Sequence, residues 1–158
     1  MKISIYCDGS SSGNSSGPGG YAYVILADGV AIEERGGHLP VATNNIAEIV
    51  AANEGMARLL VLIQSGSLQP ENVELVSDSQ LVLRYASGEY RCKAQHLLPY
   101  YIRLRKLYGE TKATTRWVRG HTGDTWNERC DKLAKAGRNG EEHNASYSLP
   151  VQAEPEST

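Results

Sequence analysis

Asp28-Gly29 separates two strand-like runs, Tyr21 to Ala27 and Val30 to Gly36. An Asp-Gly pair in that setting is among the strongest short-range signals for a tight β-hairpin, because both positions tolerate the left-handed backbone such a turn needs. Upstream, Ile3, Ile5 and Cys7 alternate with Lys2, Ser4 and Tyr6, the period of a strand leading to Asp8, and a Gly/Ser loop follows from Gly9 to Gly20. The first three strands are therefore expected to be antiparallel neighbours. After the hairpin the period changes. Ala47, Val50, Ala51, Met56, Leu59 and Leu60 recur at helical spacing, in a helix capped by Thr43 or Asn44 and running to about Gln64. Val73 to Ser77 reads as a short strand, and Ser79 can cap a helix to about Ala86. Leu97 to Leu107 reads as a helix interrupted near its start by Pro99, and Thr114 to Val118 as a last strand. Thr125-Trp126-Asn127-Glu128 has the form of a capping box opening a final helix to about Ala136. Residues 139–158 are polar and contain proline, as a mobile tail would. The alternation of strands and helices predicts an α/β fold, and no repeat is visible.

Four acidic residues stand in segments that structure alone does not call for. Asp8 lies in Cys7-Asp8-Gly9-Ser10, Glu48 closes Thr43-Asn44-Asn45-Ile46-Ala47-Glu48, and Asp78 lies in Ser77-Asp78-Ser79-Gln80. Asp131 ends Asn127-Glu128-Arg129-Cys130-Asp131, shortly after Gly120-His121-Thr122-Gly123. Three of the four fall where an apolar run ends or turns into a helix, so a fold that gathers those ends collects carboxylates at one spot. Such a cluster repels itself: alone it forces protons onto some members, whereas divalent cations keep all of them ionised. The pattern predicts a metal site. Taken singly, each residue has a plainer reading. Asp8 could mark a turn, Glu48 could favour a helix N-terminus, Asp78 could cap the next helix, Asp131 could be a helix charge and His121 a surface residue.

At 158 residues the chain has the length of one domain with a real core. No apolar run approaches the ~20 residues that cross a bilayer, and Met1 to Ile5 passes straight into a strand pattern, so a cytoplasmic location is expected. Cys7, Cys92 and Cys130 form no CxxC pair and read as free thiols, which argues against zinc. The formal charge of −2 argues against a strongly basic nucleic-acid protein. Yet Arg84 to Arg119 holds nine Lys or Arg against two acids, either a solvated helix face or a surface for a polyanion.

The element order and the four acidic segments together resemble the type 1 ribonuclease H family, from Lys2 to about Ala136. The resemblance implies a ribonuclease H-like fold: a five-stranded mixed sheet flanked by helices on both faces, with a catalytic domain over 1–138 and a tail over 139–158. It implies an endonuclease that hydrolyses the RNA strand of RNA/DNA hybrids with two Mg²⁺ ions held when substrate is bound, Mn²⁺ being an alternative, and leaves 5′-phosphate and 3′-hydroxyl ends. Asp8, Glu48, Asp78 and Asp131 would hold the metals, with Asp8 bridging, Asp131 on the nucleophile side, and Glu48 and Asp78 on the leaving-group side. His121, in its glycine-flanked loop, would swing to shuttle a proton or help product leave, as an imidazole titrating near about 6.5 can.

Telling RNA from DNA needs the 2′-hydroxyl. By resemblance that task falls to groups at Gly9, Ser10, Ser12 and Asn14, and to Asn44, Asn45 and Gln80 beside the next two acids; Thr43 and Asn127 are further candidates for binding substrate. The loop Gly13 to Gly20 is not a phosphate-binding P-loop, because no Gly-Lys-Ser/Thr follows it. The Trp- and Lys-rich protrusion that many bacterial members carry is replaced by a short passage without Trp, Gly88 to His96, in which Tyr90, Arg91 and Lys93 are the candidates for gripping the DNA strand. A monomer with no obligatory protein partner is expected. Two rivals stand beside this reading: a catalytically weak hybrid-binding module, which should have lost an acid, and a retroelement-derived ribonuclease H domain.

Overall fold

The computed structural model describes residues 1–149. Strands β1 (Lys2–Ser11), β2 (Gly19–Ala27) and β3 (Val30–Leu39) are followed by helix α1 (Asn44–Gln64) and strand β4 (Asn72–Ser77). Helix α2 (Gln80–Ser87), a 3₁₀ turn (Gln95–Leu97), helix α3 (Leu98–Thr111), strand β5 (Thr114–Trp117), helix α4 (Thr125–Arg138) and strand β6 (His143–Ser146) complete the order. One mixed sheet runs β5-β4-β1-β2-β3-β6. β1 pairs parallel to β4 and β4 parallel to β5, while β1, β2, β3 and β6 pair antiparallel in turn. The hairpin is as expected: Asp28 and Gly29 both have positive φ, 48° and 82°.

Alternation along the strands sorts side chains between two cores. Ile3, Ile5 and Ile25 pack with Ile49, Met56 and Leu59 of α1 and Leu104 of α3, all fully buried. Tyr6, Val24 and Val76 face the other way, onto Cys130, Leu133 and Ala134 of α4. Cys7, Cys92 and Cys130 are free and buried, consistent with free thiols. Among the described residues, no helix is long and apolar enough to cross a membrane.

Several boundaries differ from the sequence reading, each for a local reason. Asp8 lies inside β1 opposite Ala22, because the Ser/Gly end of the strand continues to pair with Gly19 to Tyr21; the loop shortens accordingly. Pro99 opens α3 instead of interrupting it, in a first turn where no backbone N–H is missed. The cap of α4 is Asp124, whose Oδ1 accepts from Asn127 N at 2.9 Å, while Glu128 Oε1 accepts from Gly123 N at 3.1 Å. The cap thus falls one residue before Thr125, and Glu128 holds the residue ahead of the cap instead of closing a reciprocal box.

The sheet has six strands, not five. The sixth comes from the segment read as tail: His143–Ser146 pairs with Glu33 to Gly36 of β3. Its sequence carries no apolar alternation, and polar contacts hold it. His143 Nε2 and Glu34 Oε2 lie 3.0 Å apart, the same carboxylate accepts from Arg129 of α4 at 2.9 Å, and Tyr147 N donates to Ile32 O at 2.8 Å. The remainder of the tail expectation, residues 150–158, lies outside the described residues.

Gly9 decides how closely β1 and α1 approach. A methyl group there would fall well inside van der Waals contact with Glu48 N and the Ala47 carbonyl carbon, both backbone atoms that cannot swing aside. Gly9→Ala is expected to cost about 1–3 kcal/mol, as overpacking does, and to weaken divalent-ion binding by pushing Glu48 away from Asp8. Urea unfolding together with a Mn²⁺ titration measures both effects.

Candidate active site

The parallel centre of the sheet brings the acids together from distant parts of the chain. β1 carries Asp8, the turn after β4 carries Asp78, and the second turn of α1 carries Glu48. Thr43 fixes the start of α1 by accepting from Ile46 N at 3.2 Å, and Ser79 starts α2 by accepting from Val82 N at 3.2 Å. Carboxylate oxygens of Asp8, Glu48 and Asp78 all lie within 4.8 Å of one another. Asp8 is 4% exposed and Glu48 7%.

Two anionic groups this close in a dry pocket hold protons tightly. Burial first, then the charge of Asp78 and more weakly that of Asp131, push Asp8 from 3.8 up to about 7. Burial, followed by the charges of Asp8 and Asp78, drives Glu48 well above its usual range. Among the described residues Glu48 Oε2 is buried without a hydrogen-bond partner, whereas buried polar groups in folded proteins are nearly always satisfied. Hard carboxylate oxygens, mutual repulsion and an orphaned acceptor together fit a divalent cation such as Mg²⁺.

Asp78 is held from three sides. Asn127 Nδ2 donates to its Oδ2 at 3.4 Å, Trp117 Nε1 donates to its carbonyl at 3.1 Å, and Gly120 packs against its carboxylate. Asp131 stands next to this group without joining the converging three: its Oδ2 pairs with Lys135 Nζ at 2.9 Å, one helical turn on. His121 is exposed on the turn between β5 and α4, with φ 58°.

The remaining sequence-predicted residues divide by what already occupies them. Asn44, Asn45 and Gln80 are exposed in the first turns of α1 and α2, beside Glu48 and Asp78. Ser12 and Asn14 lie in the exposed loop, where Asn14 Oδ1 accepts from Ser16 N at 3.1 Å. Thr43 is occupied by its cap, and Gly9 N donates to Asp8 Oδ1 at 3.0 Å. Ser10 is buried and its Oγ accepts from Arg138 Nη1 at 3.1 Å. Asn127, 3% exposed, has Asp78 as its protein partner.

In the basic stretch, Arg103 pairs with Glu54 and Lys106 with Glu110. Arg116 binds Glu74 at 3.0 Å and donates to Tyr6 OH at 2.9 Å. Arg84 holds Tyr90 through its hydroxyl and its ring face. Much of the nine-to-two excess is therefore structural. Arg91 and Lys93 are exposed and make no ion pair among the described residues.

Sequence reasoning missed Trp117, Gly120 and Lys135. Lys135 was legible, since a Lys four residues after an Asp on a helix faces it. Trp117 was not, because nothing in a strand of Thr114-Thr115-Arg116-Trp117 tells which neighbour its indole will reach.

The RNase H family model matches residues 1–139. A ribonuclease H of Pelobacter propionicus is 35% identical over 144 residues, covering 84% of this chain and 82% of that one. RNase H1 from Halobacterium salinarum superposes with a TM-score of 0.73 at 28% identity, over 89% of this chain and 99% of the other. LC11-RNase H1, solved in complex with an RNA/DNA hybrid, gives 0.75 at 26% identity, over 87% and 97%. With the acidic cluster inside the matched span and relatives aligned over most of their length, the chain belongs to the RNase H family and is a ribonuclease H enzyme.

Proposed function

We propose that the chain hydrolyses the RNA strand of RNA/DNA hybrids with two divalent cations, leaving 5′-phosphate and 3′-hydroxyl ends. The observation that carries this reading is the set of three converging carboxylates with Glu48 Oε2 unpartnered beside the family's fourth acid, Asp131. The hybrid bound to LC11-RNase H1 supports the substrate. When bound, a pair of cations would make a water nucleophilic and stabilise the leaving oxygen. Asp8, Glu48, Asp78 and Asp131 would hold them, with Asp8 serving both positions.

The chain's own groups do the rest. Asn127 and Gly120 keep the Asp78 carboxylate aimed into the cluster. The exposed amides of Asn44, Asn45 and Gln80 both donate and accept, as recognition of a 2′-hydroxyl requires. The His121 imidazole takes up or delivers a proton beside the scissile phosphate. His121→Ala is expected to lower kcat about 10²-fold, at the low end of what a positioned acid–base group contributes, with hybrid affinity retained; single-turnover kinetics read this directly. The enzyme acts as a monomer in the cytoplasm.

The deciding assay offers an RNA/DNA hybrid, duplex DNA and duplex RNA to the enzyme with Mg²⁺ and with EDTA. Cutting is expected only in the RNA strand of the hybrid and only with metal. Comparable cutting of duplex DNA would sink the proposal. A binding module without catalysis is disfavoured because every acid of the set is present.

Without the protrusion, the DNA strand is gripped in part by Arg91 and Lys93, the exposed cations of the α2–α3 connection. Replacing both with Ala is expected to flatten the slope of log affinity against log salt by up to ~2, about one for each phosphate that is no longer neutralised. Turnover at saturating hybrid stays the same. An unchanged slope returns both residues to an ordinary solvated face.

A further inference from the structure

Among the described residues, Lys135 is the one cation that the fold delivers to the acidic set. Its Nζ sits 2.9 Å from Asp131 Oδ2, and the pair is half open to solvent, with the lysine side chain 50% exposed and the aspartate 29%. Oxygens of the other three carboxylates lie within 4.8 Å of one another, and among the described residues none of the three has a cationic partner. Asp131 nevertheless lies close enough for its charge to reach Asp8. One of the four acids is thus already neutralised, and the three that are not are the more deeply gathered ones.

We propose that Lys135 is a built-in counter-ion for Asp131, which makes the Asp131 side the weaker of two divalent-cation positions and sets the ion concentration at which it fills. This rests on the two-cation reading above. A divalent ion reaching Asp131 meets a positive charge already bound there, so it must displace the ammonium or share the carboxylate with it. The Asp8–Glu48–Asp78 side has no such competitor and gains instead from relief of its own repulsion. Lys135 is a positioning residue in this account: it touches a metal ligand, not the substrate. An exposed i,i+4 pair is weak enough to yield, so Lys135 raises the filling threshold without closing the site.

The test is Mn²⁺ binding to the protein saturated with a non-cleavable RNA/DNA hybrid, read from the paramagnetic resonance signal of free Mn²⁺ with binding to the hybrid alone subtracted. Wild type is compared with Asp131→Asn, Lys135→Met, which keeps the apolar stem, and Lys135→Arg, which keeps the charge. Asp131→Asn identifies the binding step that depends on Asp131. In Lys135→Met that step is expected to move to about fivefold lower Mn²⁺, the size of effect that loss of a competing surface ion pair allows. The other step stays in place, and Lys135→Arg restores wild-type behaviour. If Asp131→Asn alters no binding step, the two-cation reading fails and this inference with it. If the Asp131-dependent step exists but is unmoved or weakened in Lys135→Met, the inference alone is overturned and Lys135 is a helix-surface pair.

Discussion

Asp8→Asn is expected to lower hybrid cleavage in Mg²⁺ by more than about 10²-fold, beyond the 10–100-fold that follows from losing a residue that merely supports a metal ligand. The same change should make the metal-free protein more stable at neutral pH. Asp8 is nearly inaccessible and lies among two other buried or half-buried carboxylates, so its charge is a burden to the fold that only a cation relieves. An amide of the same shape removes that burden and also removes a carboxylate oxygen that would hold the cations. Cleavage assays beside urea unfolding in EDTA separate the two effects. Turnover above a hundredth of wild type would remove Asp8 from its central role.

The second large effect needs no mutation. In EDTA the protein is expected to lose stability between pH 5 and pH 8, and Mg²⁺ should restore most of it. Asp8 and Glu48 bind their protons more tightly folded than unfolded. The folded state therefore holds extra protons between the unfolded pKa, near 4, and the folded one, and stability falls as pH rises through that window. For Asp8 the rise from 3.8 to about 7 is on the order of 4 kcal/mol in full, about 3 of it between pH 5 and pH 8. Two other carboxylates act in the opposite direction. Burial alone would raise Glu34 and Glu74, but hydrogen bonds from Arg129 and Arg116 hold both below the usual range. Their stabilisation is present above about pH 4 and lost as the solution is acidified. A metal-free maximum near pH 5 is the combined outcome, and chemical denaturation at a series of pH values locates it. A flat profile in EDTA would mean that Asp8 and Glu48 are ionised without help, and the case for a cation from repulsion would collapse.

Much of this site can be seen in the chain because its parts are short-range. The caps at Thr43 and Ser79 are set by side chains three residues from the amides they bind, and they fix the start of α1, whose second turn carries Glu48, and of α2, which begins just after Asp78. The Asp28-Gly29 turn is equally local. What escapes a reading of the sequence depends on partners far away. β6 is recruited by Glu33 and Glu34, more than a hundred residues earlier, and not by its own pattern. Asn127 reads as a substrate contact because a polar residue at the start of a helix near a catalytic acid looks available, yet Asp78 already occupies it. In the sequence Arg116 is one more cation of the Arg84 to Arg119 stretch, and only the parallel register of β5 on β4 brings Glu74 within its reach.

The three buried thiols turn the protein into its own clock for opening. The reactive form of a cysteine is its thiolate, and burial, reinforced by the neighbouring acids, keeps Cys7 and Cys130 protonated well above their usual range. A thiol reagent can therefore attack only after the chain has opened, at a rate equal to the fraction open multiplied by the reactivity of a free cysteine. Cys7 in the central strand, Cys130 in α4 and Cys92 in the short α2–α3 connection would then tick at separate rates. The order in which they are labelled would be the order in which these three parts of the molecule let go.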